Sequence, residues 1–196
     1  MQVEPGDVVV VKGKTVVPEE KKVYLAFNKP RGIVCTAEKR EKNNVIDYLS
    51  YPVRIYPVGR LDKDSEGLLL MTNDGAIVNG IMRARNRHEK EYQVEVNKEI
   101  TPEFLKKMAS GVPILDTVTR PCRIRKTGER SFTIILTQGL NRQIRRMCEA
   151  LGYRVTKLKR VRIMNVHLKD LKTGEYRPLT EKELAELKKQ IGEEKR

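Results

Sequence analysis

The sequence predicts an α+β fold. Many short strand-like runs have helix-like segments interspersed among them, and no regular strand–helix–strand repeat runs through the chain. Met1 to Lys14 reads as a Pro-Gly turn, a Val run and a Lys-Gly turn, resembling the closing hairpin of another unit, with a linker to about residue 20. Val23–Asn28 is predicted as a strand ending in the turn Lys29-Pro30-Arg31-Gly32, and Asn43–Leu49 as a short helix. Leu68–Met71 is apolar throughout and reads as a buried strand, closed by Asn73-Asp74-Gly75, which can cap a helix over Ala76–Ala84. Glu91–Val96 alternates, with Tyr92, Val94 and Val96 on one side.

Thr101-Pro102-Glu103 opens a helix with proline in its tolerated first turn, and Gly111 lies beyond its end. Strands are predicted at Cys122–Arg125 and Phe132–Thr137 around a Thr127-Gly128 turn. Asn141 is expected to cap a helix whose Ile144, Met147, Cys148 and Leu151 recur at helical spacing up to Gly152. Val155–Val166 reads as one strand, and Thr180-x-x-Glu183 as a capping box for a last helix with Leu184, Leu187 and Ile191 inward. The tail from residue 192 or 193 to 196 is expected to fray.

Composition narrows the function. The 196 residues carry 40 Lys/Arg against 26 Asp/Glu, a net +14, which suits a polyanion, with RNA or DNA the leading candidates. Leu140 to Arg177 holds 11 Lys/Arg and 3 Asp/Glu, so this stretch supplies +8 of the total. Arg83, Arg85, Arg87 and Lys90 form a second basic cluster, and convergence of the two would make a track for a phosphate backbone. Cys35, Cys122 and Cys148 are scattered with no CxxC, which points to a reducing cytoplasm rather than a disulfide framework. His88 and His167 are too isolated to build a zinc site with them. No apolar run approaches the roughly 20 residues of a membrane helix, and no signal peptide opens the sequence. GxxxxGK[ST], GxGxxG and HExxH are all missing, which disfavours ATP-driven, hydride-transfer and methyl-transfer chemistry and leaves the work to side chains, with no metal or cofactor.

Three side chains stand out. Asp62 lies in the charge-dense loop of GRLDKDSEGLLLMTNDG at the mouth of the buried strand, with Asp64 and Glu66 as rivals. Arg145 sits about 100° round the helix from Ile144, at the border of its core face, where it can reach inward to a carboxylate, while Arg142 and Arg146 are better placed for phosphates. An Arg145–Asp62 pair would keep the carboxylate ionised, as a nucleophile or base requires. Tyr92, by default a core tyrosine, could instead form a platform for a flipped base.

These motifs, with HEKEYQVEV, QGLNRQIRRM and NKPRGIVCT in the same order, resemble the RsuA branch of pseudouridine synthases. GVPILDTVTRPC and GYRVTKLKRVRIMNV make the likeness closest to its RluF type of 23S rRNA pseudouridine synthase, from about Val23 to Leu187. The resemblance implies a mixed, largely antiparallel sheet with flanking helices and an RNA-binding cleft, in a catalytic domain over about 21–191 preceded by a remnant of an S4-like RNA-binding domain. It implies that Asp62 is the essential aspartate, Tyr92 the active-site tyrosine and Arg145 the aspartate's basic partner, with Ile144 walling the base. Arg60 is the candidate to fill the space left by the flipped uridine. Lys29, Lys90, Asn141, Arg142, Gln143, Arg146, Arg160 and Arg162 are candidate RNA contacts. The implied partner is a structured stem-loop of large-subunit ribosomal RNA, with a tRNA as a second candidate and a monomer as the acting species. A non-catalytic ribosome-assembly module and a metal-dependent nuclease using Asp62 and Asp64 are the rival readings.

Overall fold

The computed structural model describes residues 9–11, 14–16 and 21–193. Strands β1 (Val9–Val11) and β2 (Lys14–Val16) form an antiparallel hairpin. The rest of residues 1–14, and 194–196, lie outside the described residues, so the expectations for those segments have no structural counterpart here. After β3 (Tyr24–Lys29) come α1 (Val45–Leu49), β4 (Tyr56–Pro57), β5 (Glu66–Thr72), α2 (Gly75–Arg83), β6 (Lys90–Val96) and α3 (Pro102–Ser110). A small hairpin of β7 (Pro113–Ile114) and β8 (Thr117–Val118) leads to β9 (Arg123–Gly128) and β10 (Ser131–Leu136). The chain closes with α4 (Gln143–Ala150), β11 (Val155–Ile163), β12 (Val166–His167), β13 (Tyr176–Pro178) and α5 (Glu181–Glu193).

Nine strands make one mixed sheet in the order β13-β3-β5-β11-β6-β10-β9, with β4 also on β5 and β12 also on β11. Among the described residues its pairs are antiparallel except β5 with β11, which run parallel over Lys159↔Glu66 and Arg160↔Gly67. The α+β prediction with a largely antiparallel sheet is therefore met. Gly67 (φ +109°) allows that parallel contact, because a Cβ there would stand 2.2 Å from the carbonyl oxygen of Arg160.

Local chemistry explains the helix ends. Asp74 caps α2 by accepting from the amides of Ala76 and Ile77, Thr101 caps α3 by accepting from Phe104, and Thr180 and Glu183 form the reciprocal capping box at α5. Three details differ from the sequence reading. Asn141 does not cap α4: Arg142 occupies that position in the left-handed region (φ 49°), and Asn141, one residue further out, accepts from the Arg146 guanidinium instead. The β9–β10 turn falls at Glu129–Arg130 rather than Thr127-Gly128, and Val155–Val166 is broken at Met164 (φ 54°) into β11 and β12. Helix α5 continues through Gly192 and Glu193, which the sequence assigns to a frayed tail.

Three apolar clusters pack the molecule. Helices α3 and α4 cover β6 and β10 through Val94, Phe104, Met108, Phe132, Ile134 and Met147. Helices α2 and α5 cover β5 and the β11–β12 hairpin through Leu68, Leu70, Ile77, Ile163, Leu187 and Ile191. The third cluster joins Leu25, Phe27, Leu69 and Met71 to Cys35, Val45 and Leu61 from the connecting loops. A cavity opens where all three meet, lined by Leu61, Ile81, Ile144, Leu158 and Ile163.

Candidate active site

Asp62 lies in the loop between β4 and β5, and the segment 29–35 pins both of its neighbours. The Cys35 thiol donates to the carbonyl of Leu61 (3.2 Å) and accepts from its amide (3.4 Å). The carbonyl of Lys63 accepts from the amide of Gly32 (2.7 Å) and from Lys29 Nζ (3.5 Å). Leu61 is buried in the third cluster, so the loop has an apolar anchor and a polar clamp on either side of a half-exposed carboxylate.

Lys29 performs this clamping in full burial. Its ammonium also donates to the carbonyls of Pro30 and Ile33, each at 2.8 Å, and its side chain is 0% exposed. Burial lowers its pKa, partly offset by attraction to the groups at Cys35, Asp62, Asp64 and Glu66. The expectation that Lys29 contacts RNA is thus overturned, since an ammonium enclosed by carbonyls has no surface for a phosphate.

The cations of α4 meet this loop, but not in the predicted pairing. Arg145 turns inward and is 8% exposed; its Nη2 donates to the backbone carbonyl of Asp64 (3.0 Å) and to Ser65 Oγ (3.1 Å), and its Nη1 lies 3.6 Å from the Asp64 carboxylate. Arg142 grips Asp64 with two parallel hydrogen bonds of 3.0 and 2.9 Å and stands 3.6 Å from Asp62 Oδ2. Among the described residues the ion pair to Asp62 therefore comes from Arg142, and Arg145 acts on Asp64 and the loop backbone. Arg142 stands in the left-handed region at the N-cap of α4, one residue before the helix begins. Those bonds to Arg142 hold the Asp64 carboxyl below its usual range despite partial burial.

A cavity of about 480 Å³ adjoins the loop. Asp62, Tyr92, Ile144 and Arg142 line it, as do Arg60, Lys90, Asn141, Gln143 and Arg160. Tyr92 is half-buried on β6, opposite Ile134 of β10 and Arg160 of β11. Asp62 is the one carboxylate among the lining residues, facing the cations of Arg60, Arg85, Lys90, Arg142 and Arg160. Gln143 is buried, its Oε1 accepting from the amide of Leu140 (3.1 Å) to shape the 138–142 loop. Arg145, Arg146, Lys29 and Arg162 do not line the cavity. Arg162, expected to meet RNA, is largely buried and held by Glu91 (3.3 Å), Glu89 (3.2 Å) and the carbonyl of Met164 (2.9 Å). Its alternation partner Arg160 faces the cavity instead, because the strand irregularity between them shifts the register. Sequence reading missed the clamp roles of Lys29 and Cys35, whose only signal was their place at the end of β3 and in the segment just after it.

Residues 23–150 match the pattern described as RNA pseudouridylate synthase. The chain belongs to that family. An Escherichia coli (strain K12) member, "Dual-specificity RNA pseudouridine synthase RluF", is 54% identical over 192 residues, which span 97% of this chain and 66% of that protein. The chain thus covers just under two thirds of the length of this relative. A Bacillus subtilis (strain 168) member, "Ribosomal large subunit pseudouridine synthase B", is 35% identical over 196 residues, covering 96% of this chain and 80% of the relative. A solved structure, "Crystal structure of pseudouridylate synthase", superposes with a TM-score of 0.78 at 29% identity, over 95% of this chain and 83% of its own. The family fold is accordingly the one described above, with Asp62, Tyr92 and Ile144 brought to one cavity by the loop before β5, strand β6 and helix α4.

Proposed function

We propose that this chain isomerises a uridine to pseudouridine in a structured stem-loop of large-subunit ribosomal RNA, with Asp62 as the essential carboxylate. Family membership and the names of its relatives support the reaction class. The observation that carries the site is a single carboxylate, clamped by backbone and buried side chains, in a cavity whose other charged lining residues are cations. A uridine stacked in RNA must first swing out, at a cost of a few kcal/mol. Arg60, exposed at the cavity rim, fills the vacated space. Asp62 then attacks C1′ or removes the 2′ proton, and the N1–C1′ bond breaks. The freed uracil stays against Tyr92 and Ile144, turns, and bonds to C1′ through C5. The C5 proton leaves to a base, for which Tyr92 is the candidate, and N1 gains a proton, so the product is an isomer of the substrate.

Arg142 and Arg145 keep the acidic loop in place, Arg142 by charge beside Asp62 and Arg145 from behind through Asp64 and Ser65. Catalysis rests on positioning the detached base and on preorganised charge. The acting species is a cytoplasmic monomer. No helix among the described residues is long and apolar enough to cross a membrane. The test is primer extension after carbodiimide labelling, applied to ribosomal RNA and tRNA from cells with and without the protein. One rRNA stop that depends on the protein, and vanishes with Asp62→Asn, is expected. RNA binding without such a stop would favour the non-catalytic module, and a stop surviving Asp62→Asn would remove that residue from the chemistry. A dependent tRNA stop would add the second substrate that the "dual-specificity" relative's name suggests.

A further inference from the structure

The cavity lining also holds three cations that the uridine chemistry does not use. Lys90 stands two residues before Tyr92 on β6, about 7 Å along the strand. Arg160 is the cross-strand partner of Tyr92 on β11. Both line the cavity, and so does Arg85 from the turn after α2. Lys90 Nζ donates to the carbonyls of Arg85 and Thr137, stitching that turn to the end of β10. Arg160 spends its Nε on the carbonyl of Leu68 (2.9 Å), and its Nη atoms have no acceptor among the described residues. Arg85 is exposed, with one long bond to the carbonyl of Met82 (3.5 Å).

This cluster is electrostatically unbalanced. Burial, followed by repulsion from Arg160, Arg120 and Arg85, lowers the Lys90 pKa to about 8. The one carboxylate lining the cavity, Asp62, is paired with Arg142. Glu89 and Glu91 are engaged by Arg162 and, for Glu89, by Arg123. Like charges gathered in a partly buried cavity are costly unless an anion enters.

We infer that Lys90, Arg160 and Arg85 form a phosphodiester subsite that takes the backbone phosphate next to the flipped uridine while its base lies at Tyr92. This inference rests on the proposed function. The subsite would neutralise the cluster on binding, and so convert the repulsion among its members into affinity for the flipped-out conformation rather than for the stacked helix.

The test uses the rRNA stem-loop found by primer extension, synthesised with a neutral methylphosphonate at one linkage: 5′ of the target uridine, 3′ of it, or in the distal stem. Affinity for wild type should fall about tenfold, or about 1.4 kcal/mol, at one of the two flanking linkages. In Arg85→Ala and in Lys90→Met the same replacement should cost threefold or less, while the distal-stem replacement affects all three proteins alike. Lys90→Met also removes two backbone hydrogen bonds, so the exposed Arg85→Ala carries the result if the former is unstable. Unchanged flanking penalties in Arg85→Ala would overturn the subsite, as would wild-type indifference to both flanking replacements. Competition by inorganic phosphate at constant ionic strength, without that coupling, would assign the cluster to a free anion and overturn the RNA assignment. A wild type that neither binds nor converts the unmodified stem-loop refutes the functional reading itself, whereas conversion without coupling refutes the subsite alone.

Discussion

Replacing Gly67 by alanine should be among the costliest single-methyl changes in the chain. Its Cβ would lie 2.2 Å from the oxygen, 2.7 Å from the nitrogen and 3.0 Å from the carbon of the Arg160 backbone. All three atoms belong to a neighbouring strand, so no rotamer relieves the clash. Strands β5 and β11 would have to part by about 1 Å to reach ordinary contact distances. The φ of +109° adds roughly 1–2 kcal/mol of strain for an L-residue, overpacking about 1–3 kcal/mol, and a weakened ladder hydrogen bond about 1 kcal/mol. The sum, about 3–6 kcal/mol, is a large fraction of the roughly 5–15 kcal/mol that holds a typical domain. Gly32 provides the internal control: its φ is +90°, yet nothing lies within 4 Å of its Cβ position. Gly32→Ala should therefore cost only the strain, about 1–2 kcal/mol. Urea unfolding followed by circular dichroism gives both values, and at about 2–4 °C per kcal/mol for this size the melting temperatures should differ by several degrees. Equal costs would refute the close approach of β5 to β11, and with it the placement of Arg160 at the cavity.

Three further outcomes follow from the site and its surroundings. Lys29→Met should destabilise by about 2 kcal/mol, because it strands buried carbonyls, yet leave RNA affinity within twofold; a salt titration in which the slope drops by about one phosphate would restore Lys29 as an RNA contact. Arg145→Ala should cost about 2–4 kcal/mol and Arg142→Ala less than about 1 kcal/mol, since the first removes a buried cation from Ser65 and the Asp64 backbone and the second an exposed pair; equal losses on chemical denaturation would contradict this division. Glu183, held by Arg177, has its pKa lowered to about 2 from 4.5, so its stabilising effect is complete above about pH 4.5 and is lost as pH falls toward 2. Glu183→Gln should flatten the acid limb of the stability profile in that window, and an unchanged limb would show that the pair does not link β13 to α5 as described.

Much of the architecture was legible locally. The alternation of Glu91–Val96, the apolar run Leu68–Met71 and the caps at Asp74, Thr101 and Thr180 each reflect a contact within a few residues, and each appears as read. Where the reading slipped, a backbone conformation had no side-chain signature. Left-handed φ at Arg142 and Met164 moved one helix start and divided one strand, and neither residue type announces that conformation. The short strands β4, β7, β8 and β13 escaped because two or three residues hold no period.

The sequence alone determined which residues could do chemistry: one loop of carboxylates before a buried strand, a helix rich in arginine, a tyrosine on the apolar side of an alternating strand, and an excess of positive charge. These are properties of residue type and near-neighbour spacing, and they survive without coordinates. Only the tertiary structure decided which cation meets which carboxylate, that Lys29 turns inward as a clamp while Arg160 faces the cavity, and that Lys90 and Arg85 line that same cavity. Such choices depend on the register of strands distant in sequence and on which side of a turn a long side chain is thrown, and an arginine or lysine carries the same charge in either direction.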